Sequence, residues 1–100
     1  MQSKWKINVS LKRESVDAWF FKVTVKNETG FYEFTVEVQK DYYEELTDGK
    51  IIPLVLVQQS ILFLLSKEEP HEILDEFKLS DITNYFKDFE QEIRQSVQHA

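Results

Sequence analysis

The stretch HEILD, residues 71–75, is the nearest this sequence comes to a catalytic motif. It begins like the helical H-E-x-x-H zinc site, where two imidazoles one turn apart hold the metal and the glutamate serves as base. Here Asp75 stands in place of the second histidine. On a helix His71 and Asp75 would share a face, with Glu68 and Glu72 near, and such a donor set holds a divalent ion loosely. A solvated acidic helix start is the ordinary explanation, so no metal or other cofactor is expected. The other histidine, His99, is penultimate, which leaves no partnered base for a Ser–His–Asp arrangement. Adjacent carboxylates recur at Glu44/Glu45, Glu68/Glu69 and Asp75/Glu76, but neighbours along a helix point apart rather than into one cleft. With no cysteine, thiolate chemistry, disulfides and cysteine-based zinc sites are all removed. Gly30 and Gly49 are the only glycines, too few for a phosphate-cradling loop. This inventory argues against an enzyme.

Binding surfaces are a better prospect. The chain has a net charge of −6, unevenly placed. Residues 1–40 hold seven Lys or Arg against five Asp or Glu, whereas residues 41–100 hold five against thirteen. The acidic part repels phosphate and anionic membrane surfaces. Within it, Glu68, Glu69, Glu72, Asp75 and Glu76 form a candidate contact surface for a protein partner. The basic part offers Lys4, Lys6, Lys12, Lys22 and Lys26 with Phe20 and Phe31, the mixture that sheet-type RNA binders use. Against that use, Glu33 and Glu37 neutralise the third strand, and lysines on an outer face commonly guard a sheet edge.

The elements that must position these residues are read from periodicity. The first forty residues alternate with period two, which predicts a three-stranded antiparallel meander over about 4–11, 18–26 and 31–39. Trp5, Ile7, Val9 and Leu11 share one face, as do Trp19, Phe21, Val23 and Val25, then Tyr32, Phe34, Val36 and Val38. The link NETG, with Gly30 free to take positive φ, suits a hairpin that pairs Lys26 with Phe31. Apolar then meets apolar along the ladder, and Lys22 and Lys26 lie diagonal to Glu33 and Glu37. After Gln39 the period changes. DYYEEL reads as a short helix capped by Asp41 and stopped near Gly49, and Pro53 begins a helix running to about Ser66. HEILDEF and DITNYF read as further short helices. KDFEQEIRQSVQHA either continues the last one or breaks from it near Lys87. One α+β domain over 1–100 follows, with helices packed on the oily face of the sheet.

Residues 51–65, IIPLVLVQQSILFLL, hold eleven apolar side chains and a proline around Gln58-Gln59-Ser60. A membrane span needs about 20 apolar residues, so this segment is too short and too interrupted. As a core helix it has one stripe too many, since Leu54, Val55, Leu56 and Val57 encircle a full turn. Either other elements wrap that turn or Leu54 and Val55 form a contact surface.

The second half resembles a family of small uncharacterised bacterial proteins. The resemblance rests on Tyr42, Tyr43, Thr47, Gly49 and Lys50; on Phe63, Leu64, Leu65, Glu69 and Pro70; on Ile73, Leu74, Phe77 and Leu79; and on Tyr85, Phe86, Phe89 and Glu90. It covers about half the chain and implies no activity. Most sequences of this kind carry acidic residues after the helix-starting proline, where Leu54 and Val55 stand, and many have a proline where Lys87 stands. The first departure points to a covered surface. The expectation is a non-catalytic bacterial protein acting through protein–protein contact or self-association, in the simplest version as a homodimer. The alternative is a nucleic-acid-associated regulator using Lys4, Lys6, Lys22 and Lys26. The start MQSKWKINVS has no apolar run of signal-peptide length, so a cytoplasmic protein with no membrane partner is expected.

Overall fold

The alternating first forty residues fold into three antiparallel strands: β1 (Lys6–Glu14), β2 (Ala18–Lys26) and β3 (Phe31–Gln39). They are seen in a computed structural model that describes residues 5–98. Lys4 and His99 lie outside the described residues. The β2–β3 register pairs Lys26 with Phe31, Val25 with Tyr32, Val23 with Phe34, Phe21 with Val36 and Trp19 with Val38, as the side-chain pattern predicts. The hairpin is held by Asn27, whose side-chain oxygen accepts the N–H groups of Thr29 at 2.9 Å and Gly30 at 2.8 Å. Gly30 does not take the positive φ expected of it. Its missing side chain matters instead because a Cβ there would stand 2.8 Å from the Tyr32 ring.

In β1 the ladder slips at Lys12, since Leu11 pairs with Phe21 and Arg13 with Phe20. One extra residue reverses the alternation, because side chains repeat every two positions. Arg13 therefore joins the outer face and lies 4.0 Å over the Phe20 ring. Glu14 turns to the Trp19 side, where its carboxylate accepts from Lys40 at 2.6 Å.

The sheet has a fourth strand that period-two reasoning does not find. β4 (Glu76–Lys78) pairs parallel with β3, Phe77 beside Val36, so the sheet is mixed with the order β1-β2-β3-β4. Three residues carry no readable alternation, and the segment read as the helix HEILDEF is a short 3₁₀ turn (Pro70–Glu72) followed by extended chain. DITNYF is also 3₁₀ rather than α-helical, over Leu79–Asn84.

Three α-helices follow the expected sites among the described residues: α1 (Lys40–Thr47), α2 (Pro53–Lys67) and α3 (Phe89–Gln98). Gln39, not Asp41, occupies the N-cap of α1. Asp48 at φ 56° and Gly49 at φ 71° end it, both left-handed. The buried Thr47 hydroxyl donates to the Tyr43 carbonyl at 2.9 Å and accepts from the Gly49 N–H at 3.1 Å. The chain breaks before α3, so the C-terminal helix starts afresh at Phe89.

α2 lies over the β1 side of the sheet, and the second 3₁₀ segment lies against β3. Between them Phe63 meets Phe86 and Phe89 edge-on, with ring centroids 5.8 and 5.2 Å apart. α3 is fastened to both earlier helices. The Tyr42 hydroxyl donates to Glu90 at 2.8 Å, and the Ser96 hydroxyl donates to Gln59 at 3.1 Å.

Two outcomes follow for stability. Phe89 is fully buried, so Phe89→Ala is expected to lower unfolding free energy by about 3–5 kcal/mol in a urea titration, whereas Leu62→Ala shifts it by less than about 1 kcal/mol. Burial and the adjacent Glu90 carboxylate raise the Tyr42 phenol far above its ordinary value near 10. The unfolded chain ionises first, so this contribution is complete below about pH 10 and is lost as the solution becomes more alkaline. Tyr42→Phe is expected to cost about 1 kcal/mol at neutral pH and to flatten the alkaline decline, which urea midpoints across pH report.

Candidate functional site

The acidic segment after α2 is shaped by Pro70. Proline cannot continue the α2 hydrogen-bond ladder, and Glu69 and Glu72 close a reciprocal capping box around the 3₁₀ turn, with the Glu72 carboxylate accepting the Glu69 N–H at 2.8 Å. Ile73 is then buried while Leu74 stays 60% exposed. The second 3₁₀ segment returns along the same side and presents Asp81, Ile82 and Tyr85, the last 71% exposed. Between these pieces and the end of α2 is an open hollow of about 310 Å³. Its lining includes the buried Leu64, Ile73 and Ile82 and the half-buried Phe77 and Phe86. Glu68, Glu72 and Asp81 also line it, with no Lys or Arg among the lining residues.

The five acidic residues picked from the sequence do not share a face, because residues 68–76 are not one helix. Glu68 and Glu72 border the hollow, and Glu72 is at the same time joined with Glu69 in the cap. Asp75 is exposed in the bend just before β4, its carbonyl accepting the Thr35 N–H at 2.8 Å. Glu76 pairs beside Thr35 and lies in a second hollow near Lys12 and Arg13. His71 and Asp75 are likewise not one helical turn apart, since only residues 70–72 are helical there. Among the described residues no group of three or more His, Asp or Glu is gathered as metal ligands. Asp81, Leu74 and Tyr85 join the hollow as well, and apolar residues within an acidic stretch are their signal in the sequence.

The greasy helix divides its first turn. Leu56 and Val57 are fully buried, Leu54 packs on the margin of the core, and Val55 is half-buried without joining it. Val55 and Leu62, two turns apart, lie opposite the buried Val57 and Leu64 by helical spacing. Leu62 is 43% exposed, and Ile52, just before the helix, 61%. Among the described residues no helix is long and apolar enough to cross a membrane.

The outer face of the sheet has mixed charge. Lys6, Lys26 and Phe31 form one row across three strands, with Phe31 64% exposed. Lys22 is paired with Glu33 at 3.2 Å, and the hollow by β4 sets Lys12, Arg13 and Lys78 among Glu37, Glu76 and Asp81. Phe20 is covered by Arg13.

No family model matches the chain. No curated protein and no solved structure matches it either.

The division within α2 has a measurable consequence. Leu54→Glu is expected to destabilise the fold by about 1–3 kcal/mol, because it places a charge at the core margin. Val55→Glu should cost less than about 1 kcal/mol in the same denaturant titration.

Proposed function

We propose that the protein works in the cytoplasm as a non-catalytic contact module, and that its contact is with a second copy of itself. The supporting observation is the outward row of α2. In a chain that is 30% charged, residues 51–66 carry no charge at all, and Val55, Gln58 and Leu62 lie away from the buried side of the helix. Apolar rows left facing water commonly mark association surfaces.

The row reads similarly in both directions, which suits an isologous pair. About a two-fold axis between Gln58 and Gln59, antiparallel packing sets Val55 against Leu62 of the second copy and Ile52 against its Leu65. Each apolar contact is then made twice. Gln58 comes near Gln59 of the second copy, whose side-chain oxygen already accepts from Ser96 and whose amide N–H groups are left to donate across the interface.

A nucleic-acid reading draws support from the row Lys6, Lys26 and Phe31, but the ion pair of Lys22 with Glu33 and the nearby Glu37 and Glu76 oppose it. Acidic neighbours reduce the phosphate attraction on which such binding depends.

Light scattering over a wide concentration range tests the self-association. The expected mass is twice 12.0 kDa, falling to the single-chain value for Val55→Glu with Leu62→Glu while far-ultraviolet circular dichroism stays unchanged. A monomer at every concentration, or a dimer indifferent to both substitutions, would overturn the proposal. Retention on single-stranded RNA that falls steeply with salt would favour the basic face instead.

A further inference from the structure

The hollow at the end of α2 is concave and its charged lining residues are all acidic, unlike the α2 row. We propose that it docks an arginine-bearing apolar segment of another protein. The charge is the first ground. Glu68, Glu72 and Asp81 border the hollow without any basic lining residue, and none of the three is ion-paired among the described residues. An acidic lining with no basic residue gives the hollow a negative potential and favours a cationic occupant.

Shape and surface chemistry select the kind of cation. At about 310 Å³ the hollow is at the lower end of binding-site sizes, enough for one long side chain and part of its neighbour. Leu74 and Tyr85 remain exposed at its edge, and Phe77 is half-buried within it. An arginine stem lies along apolar surface while its planar, weakly hydrated guanidinium stacks on a ring and pairs with carboxylates in fixed geometry. Lysine supplies a strongly hydrated point charge and uses the ring less well. A small free cation would leave Leu74 uncovered, whereas a polypeptide with an apolar residue beside the arginine covers it. The row of α2 is a separate surface, so this docking does not depend on self-association.

The test uses the full chain and short fluorescent peptides that share Leu and Trp residues and differ only in carrying Arg, Lys or Glu. Fluorescence anisotropy is expected to show saturable binding of the Arg peptide, weaker binding of the Lys peptide and none of the Glu peptide. Glu68→Gln with Asp81→Asn should weaken the Arg peptide roughly tenfold. Leu74→Ala with Tyr85→Ala should weaken it comparably, both positions being exposed and so tolerant of truncation. Glu44→Gln with Glu45→Gln removes the same charge from the exposed side of α1 and should change nothing. Equal weakening by both charge-removing pairs would reduce the effect to long-range attraction and overturn the proposal, as would indifference to the loss of Leu74 and Tyr85. The Val55→Glu, Leu62→Glu variant should bind the Arg peptide unchanged, so failure of self-association and failure of this docking are read separately.

Discussion

The inner face of β2 and β3 must be kept dry, and the rest of the molecule is arranged by that need. Val23, Val25, Val36 and Val38 have no exposed surface, and Phe21 and Phe34 have almost none. A single 15-residue helix cannot cover a four-stranded sheet, so α2 takes the β1 side and the C-terminal segments take the β3 side. The seam between the two covers is the cluster of Phe63, Phe86 and Phe89. Aromatic rings suit such a seam because they bury large area and interlock edge to face.

That arrangement also explains the polar ties. α3 is short and amphipathic, with Phe89, Ile93 and Val97 inward, and a helix of that length is marginal on its own. Glu90 accepting from Tyr42 and Gln59 accepting from Ser96 fix its angle over α1 and α2. The Lys67–Asp88 pair at 3.3 Å is exposed at both ends and adds little to stability. Buried side-chain nitrogen and oxygen atoms all find partners among the described residues, so the covers close without leaving a polar group stranded.

The two candidate surfaces arise from the same shortage of covering material. A helix with apolar residues all round can bury only one side against the sheet, and α3 reaches only part of the remainder, leaving Val55 and Leu62 outward. At the other end, 3₁₀ turns replace full helices, and their shorter side-chain rows leave the hollow beneath Leu74 and Tyr85 open. Acidic residues around that opening give it charge of a single sign.

Much of this was legible in the residues themselves. Strict alternation set β1, β2 and β3, the β2–β3 register and the Lys22–Glu33 diagonal, because side chains two apart must share a face. Pro53 and Gly49 marked helix boundaries through backbone geometry that depends on the residue alone. The slip at Lys12, the strand at Glu76–Lys78 and the 3₁₀ turns were not legible. A three-residue strand has no period, and EFK is extended because β3 offers it a free edge after the crossover through α1 and α2. The acidic residues were visible as composition, but which of them gather was not. Grouping Glu68 and Glu72 with the distant Asp81, and dividing Leu54 from Val55, depends on where packed elements meet in space. Local chemistry decided the three long strands and the helix boundaries, whereas tertiary packing decided β4 and which faces remained open to a partner.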